Sequence, residues 1–340
     1  MKLNLSYIIA SCKYLLLACS LFLVAPTTYG AVNWVTINAN IQFLEQEKKL
    51  RFYDSNQVLI EGDKCALLVD ASGNFAAVEQ LANDLKKHLK TPLCYLLASH
   101  YHDDHLLGMA VMQHFYPDAK LIVHQQVNSD FNRYQKAFND QLDSYEKSIE
   151  LSYQRLAGIS KAEQAQWREK LELAKKRLFR WQEYQLKSPE IIIDENKTLD
   201  LGGFKVTLNA HKAHTSGDLT LTTNSGRVLI GGDIVDWLPY PGHGEFKSWQ
   251  TLLKQYIDDE NLALIIPGHG GILDRAQLKQ PLAFLTAITE HVNKNNDQTI
   301  EQLVLSFPEK VMKPYTEESL NAKSSNLFLQ SGLARAKNAK

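Results

Sequence analysis

The chain has 340 residues, 44% hydrophobic and 22% charged. These are ordinary values for a globular protein and exclude general disorder. Lys and Arg total 37 against 38 Asp and Glu, a net charge of −1, so no basic footprint marks a nucleic-acid partner.

Lys2 and Lys13 precede an uncharged run from Tyr14 to Ala25, which Pro26 breaks. Thr28-Tyr29-Gly30 then places small residues where a signal peptidase reads them. The pattern predicts a secretory signal over residues 1–30 and a periplasmic or secreted mature chain with no stable membrane span. An uncleaved anchor is the alternative, but the apolar run is short for a span of about 20 residues. Leu16-Leu17-Ala18-Cys19 loosely resembles a lipobox, but apolar residues continue past it, which argues against lipid attachment. Removing residues 1–30 leaves a net charge of −3 and two cysteines, Cys65 and Cys94. Each sits in an apolar run, and this favours buried free thiols over a disulfide.

Gln57 to Ile60 and Cys65 to Val69 read as strands joined at Gly62-Asp63, followed by a helix from Phe75 to Leu89 with Val78, Leu81, Ala82 and Leu85 on one face. Leu93 to Ala98 is an apolar strand, Leu106 to His114 a helix and Leu121 to Val123 a strand. The alternation predicts an α/β class. Residues 125–190 change character: Leu142, Tyr145, Ile149, Tyr153 and Leu156 recur at helical spacing, as do Trp167, Leu171, Ala174, Leu178 and Trp181. They predict a helical hairpin that serves as an outrigger, a lid or the surface of a homodimer. Strands return at Ile191–Ile193, Lys205–Leu208, Leu219–Thr223 and Arg227–Ile230, the last two joined by a turn at Asn224-Ser225-Gly226. A helix over Phe246–Tyr256, a buried strand over Leu262–Ile266 and a helix over Leu278–Val292 complete one domain, 31–290, interrupted at 125–190 and followed by a helical or polar tail, 291–340.

Chemistry concentrates in His100-x-His102-x-Asp104-His105, four ligand types in a loop that ends an apolar strand. Three imidazoles and a carboxylate suit zinc or another borderline divalent ion. His214, Asp233 and His269 each follow a predicted strand farther along the chain, with glycines beside them that permit close approach.

On these motifs the chain resembles the metallo-β-lactamase superfamily. The resemblance implies an αββα sandwich with a metal site at one edge. It implies one zinc ion held by His100, His102 and His214, a second held by Asp104, His105 and His269, and Asp233 bridging them. Asp70 matches a residue that supports the site without binding metal. Two ions about 3.5–4 Å apart can share a hydroxide that attacks an ester, thioester or lactam-type carbonyl of a small-molecule substrate. Asp104 would bind metal and orient that hydroxide as the catalytic carboxylate. No separate nucleophile motif is present.

His102 stands where flavodiiron oxidoreductases of the superfamily carry Glu, which favours hydrolysis. Asp233 stands where its true β-lactamases commonly carry Cys or Ser. A β-lactamase of the third subclass and a mononuclear iron persulfide dioxygenase remain as alternatives. Asp236-Trp237-Leu238-Pro239-Tyr240-Pro241-Gly242-His243 reads as an apolar wall beside the metals, with His243 a candidate substrate contact. His211 reads as a neighbour of the ligands or a surface residue, His88, His114, His124 and His291 as structural or exposed. Tyr101 and Asp103 are expected to point away from the metals.

Overall fold

The structure, a computed structural model, describes residues 32–45, 54–223, 225–317 and 322–339. The predicted signal over residues 1–30, and Asn224 of the predicted turn, lie outside the described residues.

Two sheets form the centre. The first runs in chain order: β1 (Val35–Thr36), β2 (Ile41–Leu44), β3 (Gln57–Glu61), β4 (Ala66–Val69), β5 (Leu93–Leu97), β6 (Lys120–His124) and β7 (Ile191–Ile193). It is antiparallel up to β4 and parallel from there. The second comprises β8 (Lys197–Asp200), β9 (Lys205–His211), β10 (Asp218–Thr223), β11 (Val228–Gly232) and β12 (Leu264–Pro267), in the order β12-β11-β10-β9-β8. Only its β11–β12 pair is parallel.

The central strands β3, β4 and β11 are buried along their whole length because both faces are covered. Successive side chains alternate, so Val58, Ile60, Leu67 and Val69 enter the core between the sheets, where they meet Val206, Leu208, Leu221, Ile230 and Ile266. Leu59, Ala66 and Leu68 point outward, beneath α1 (Phe75–His88) and its neighbours. Leu229 and Ile265 point outward on the other side, beneath α7 (Phe246–Asp258) and α8 (Lys279–Lys294). The layers are helix, sheet, sheet, helix, as the α/β sandwich reading requires. Between β5 and β6 the chain forms two short helices, α2 (Asp103–Leu106) and α3 (Met109–Phe115), where the sequence predicts one.

After a five-residue helix, α4 (Gln125–Ser129), residues 125–190 form α5 (Phe131–Arg155) and α6 (Lys161–Trp181). Ser160 and Glu163 make a capping box that starts α6. The hairpin belongs to the core. Phe138 and Trp181 pack against Phe75 of α1 with ring centroids 5.2 and 5.7 Å away. The buried carboxylate of Glu79 on α1 accepts from Arg180 Nη2 and from the Tyr184 hydroxyl, each at 3.0 Å. The segment beyond residue 291 is likewise packed. α9 (Ile300–Leu305), α10 (Glu309–Thr316) and α11 (Ala322–Asn338) follow α8, and Leu303, Tyr315, Phe328, Leu329 and Leu333 join the cluster beneath it. Apolar residues spaced along a polar segment hide this packing from a reading of average composition. Among the described residues no helix is long and apolar enough to cross a membrane.

The expectation of free thiols is corrected. Cys65 and Cys94 form a disulfide, with Cα atoms 5.6 Å apart. Cys65 immediately precedes β4 and Cys94 lies in β5, its parallel neighbour, so two positions 29 residues apart in sequence become adjacent. In the loop-entropy picture such a crosslink contributes about 3–4 kcal/mol. The non-reduced protein should resist alkylation at both sites. Cys65→Ser with Cys94→Ser should lower the unfolding free energy by about 2–4 kcal/mol in denaturant titrations.

Candidate metal centre

All the candidate residues gather at one end of the sandwich, beyond the carboxyl ends of β4, β5, β11 and β12, a usual place for sites in α/β folds. The loop after β5 carries His100 and His102, and the single turn of α2 carries Asp104 and His105. His214 lies between β9 and β10, Asp233 directly follows β11, and His269 follows β12.

Each loop is held by specific bonds. Asp218 staples the His214 loop by accepting from the Ala213 amide at 2.9 Å and from the Thr215 hydroxyl at 2.6 Å. The Leu219 amide donates to the Ser99 carbonyl at 2.7 Å and so joins that loop to the other sheet. Asn56, ahead of β3, reaches across to the His269 loop and donates its side-chain amide to the Pro267 and Gly270 carbonyls at 2.9 and 2.8 Å. The Asp236 carboxylate takes the His269 amide at 3.0 Å. Gly232 adopts φ 52 to turn the chain into Asp233. At Gly268 any Cβ would stand 2.0 Å from Asp233 Oδ1.

Asp70 organises the histidines. Its backbone is left-handed at φ 61, a conformation that Asp tolerates better than most residues. One carboxylate oxygen accepts the Ser99 amide at 2.7 Å, and the other takes the Ser99 hydroxyl and His105 Nδ1, both at 2.8 Å. The Ser99 oxygen lies 3.0 Å from His100 Nδ1. With Nδ1 of both rings committed as donors, the Nε2 atoms of His100 and His105 turn toward the cluster. This tautomer assignment follows from the bonding network.

The remaining donors converge. His102 Nδ1 is 3.0 Å from His100 Nε2 and 3.1 Å from His214 Nε2. His214 Nε2 is 3.5 Å from Asp233 Oδ2. His269 Nε2 lies 3.3 Å from His105 Nε2 and 3.4 Å from Asp104 Oδ2. Three overlapping groups result, His100, His102, His214 and Asp233, then Asp104, His105 and His269, then Asp233, Asp236 and His269, each with its ligand atoms within 4.8 Å of one another.

These groups fit divalent cations. Nitrogen lone pairs facing one another at about 3 Å cannot all be satisfied by hydrogen bonds. Asp233 Oδ1 is buried and, among the described residues, has no well-aligned hydrogen-bond donor, although His105 Nε2 is 3.1 Å away. Burial, then the nearby imidazoles, holds His100 and His102 well below the usual histidine range and His214 near 4, so all three are neutral donors at neutral pH. Burial opposes charge on His105 and His269 as well, but Asp233 chiefly outweighs it and raises both. Asp233 is held well below the carboxylate range against its own burial, by His269, His105 and His100. Burial raises Asp104.

The cluster floors a cleft of about 610 Å³. Tyr101, Asp103, Tyr240 and His243 line it, so Tyr101 and Asp103, expected to point away from the metals, still face the cleft. Sequence reading missed its outer walls: Arg133, Tyr134 and Ala137 from α5, and Leu327 and Phe328 from α11. No motif marks them, because helices remote in sequence carry them there. Tyr134 stacks on Tyr101 with centroids 5.7 Å apart.

His211 stands apart from the cluster, with Nε2 3.0 Å from the Thr220 hydroxyl. Burial, then neighbouring His124, pushes its pKa down to about 4. The folded state thus excludes a proton that the unfolded chain binds near 6.5. The resulting stability is present above pH 6.5 and is lost as pH falls toward 4, up to about 3 kcal/mol. Urea unfolding at pH 7 and pH 4.5 should show a smaller loss for His211→Asn than for wild type.

The model of the metallo-beta-lactamase superfamily matches residues 50–269. Acyl-coenzyme A thioesterase MBLAC2 of Homo sapiens is 27% identical over 99 residues, 27% of this chain and 34% of the human protein. The Gallus gallus protein of the same name is 25% identical over 87 residues, 24% of this chain and 31% of the chicken protein. The aligned part thus spans about a third of these relatives' length. Among solved structures, the sec-alkylsulfatase Pisa1 from Pseudomonas sp. superposes with a TM-score of 0.56 at 13% identity, over 89% of this chain and 50% of that one. The metallo-beta-lactamase IND-7 superposes at 0.50 with 17% identity, over 75% of this chain and 97% of that one. At such identities the likeness is one of fold.

Proposed function

This chain belongs to the metallo-beta-lactamase superfamily of metal-dependent hydrolases, and from that premise we propose that it uses two zinc ions to hydrolyse an ester, thioester or lactam-type carbonyl of a small molecule. One ion would be held by His100, His102 and His214, the other by Asp104, His105 and His269, with Asp233 available to both. The observation that carries the reading is the convergence of these donors on the floor of an open cleft. Bound there, zinc supplies Lewis acidity and a water acidic enough to act as nucleophile near neutral pH.

The chain's own residues do the rest. Asp233 offsets positive charge in a buried place, where unpaired charge is costly. Asp104, its side chain 15% exposed, opens on the cleft more than Asp233, and it orients the attacking water by accepting a hydrogen bond from it. Asp70 and Ser99 keep the imidazoles turned inward, as partners behind metal ligands do. Arg133 offers a cation to an anionic part of the substrate, while Leu327 and Phe328 offer apolar surface to a chain or ring. The thioesterase name of the partial relatives favours a thioester among the three carbonyl classes. Export to an oxidising compartment belongs to the same reading, and the Cys65–Cys94 crosslink supports it.

A panel of esters, lactones, thioesters and β-lactams, run with metal quantification, tests this. About two zinc ions per chain and turnover on one class are expected. His102→Ala and Asp104→Ala should each lose most of that activity, at least about a hundredfold, with an unchanged circular dichroism spectrum. Wild-type turnover by either variant, or a single iron per chain, would sink the reading.

A further inference from the structure

His102 differs from its neighbours in how it meets the cluster. His100, His105, His214 and His269 present Nε2, whereas His102 presents Nδ1, 3.0 Å from His100 Nε2 and 3.1 Å from His214 Nε2. A neutral imidazole carries one N–H, so a ring whose Nδ1 serves as a donor atom to metal holds its proton on Nε2. Among the described residues that Nε2 meets His243 Nδ1, at 2.8 Å. His243 must therefore accept, and its own proton sits on Nε2, at the far side of a ring that lines the cleft.

The bond spans 141 positions of sequence, and the His243 loop is fastened by α11 and by the loop that carries His214. Arg335 of α11 donates its Nε to the Gly244 carbonyl at 3.0 Å and its Nη2 to Glu245 at 2.8 Å. The Glu245 amide donates to the Ala213 carbonyl at 2.8 Å, one residue before His214. Tyr240 stands edge-on to the His243 ring at 5.6 Å.

We propose that His243 is a positioning residue for His102 and, through the same fixed tautomer, the donor that presents an N–H to a substrate oxygen in the cleft. The inference rests on the reading of His102 as a zinc ligand. The imidazole accepts from His102 on one side, which orients that ring and makes its Nδ1 a better donor atom. On its other side it gives the cleft a hydrogen-bond donor whose direction is set by the protein before substrate arrives.

The two roles separate by substitution. His243→Phe keeps a ring beside Tyr240 but neither accepts nor donates. His243→Asn keeps an acceptor oxygen where Nδ1 was and has no donor where Nε2 was. Zinc affinity, measured on the purified full chain by competition with a chelator, should fall about tenfold to a hundredfold in His243→Phe and stay near wild type in His243→Asn. Both variants should raise KM or lower kcat on the substrate that the panel identifies. Nitrogen-15 spectra of the zinc-loaded wild type should show both His102 and His243 protonated on Nε2. If wild type binds zinc and His243→Phe binds it equally well, or if His243 carries its proton on Nδ1, the inference fails alone. If wild type takes up no zinc, the proposed function fails and this inference with it.

Discussion

Asp70 sits in the left-handed backbone region at the end of β4, and its carboxylate collects three donors, two from Ser99 and one from His105. Without that arrangement the imidazoles behind the cleft would have no reason to face one another. Neutral histidine has two tautomers and two useful ring orientations, and burial alone selects neither. The carboxylate makes the choice for His105 directly and for His100 through the Ser99 hydroxyl. It thereby aims lone pairs at a point where hydrogen bonds cannot satisfy them, a costly geometry for buried groups unless a cation lies between.

The two sheets make this geometry reproducible. Each contributes loops from strand ends that are buried on both faces, so the bases of the loops cannot shift without disturbing a packed core. The joins between sheets fall at the site itself. Leu219 reaches Ser99, and Asn56 reaches the His269 loop. Close approach finishes the arrangement, for Gly268 leaves no room for a Cβ beside Asp233.

The cleft above this floor is built differently. Its walls come from α5 in the insertion, from the loop carrying Tyr240 and His243, and from α11 near the chain's end. The insertion is anchored by Glu79 and by the aromatic group around Phe75, and α11 clamps the His243 loop through Arg335. Segments that read as an outrigger and a polar tail therefore shape what enters the site. Walls of this kind can change while the floor stays fixed, and this is how one scaffold serves many substrates.

The sequence by itself determined the class of fold and pointed to the residues able to bind a metal. The alternation of strands and helices predicted an α/β class, and His100, His102, Asp104 and His105 within six positions pointed to a metal. Such local patterns are legible because period and spacing are local properties. Three matters were decided only by tertiary structure. Cys65 and Cys94 became neighbours through parallel pairing of β4 with β5, which no spacing rule reveals. Arg133, Leu327 and Phe328 reached the cleft through helix packing, where each residue reads as one more amphipathic position. The contact of His243 with His102 depended on a loop held by α11, so its meaning lies in a distance and not in a motif. Chemistry concentrated in a short segment shows in the sequence, whereas chemistry assembled across the fold waits for the packing that brings it together.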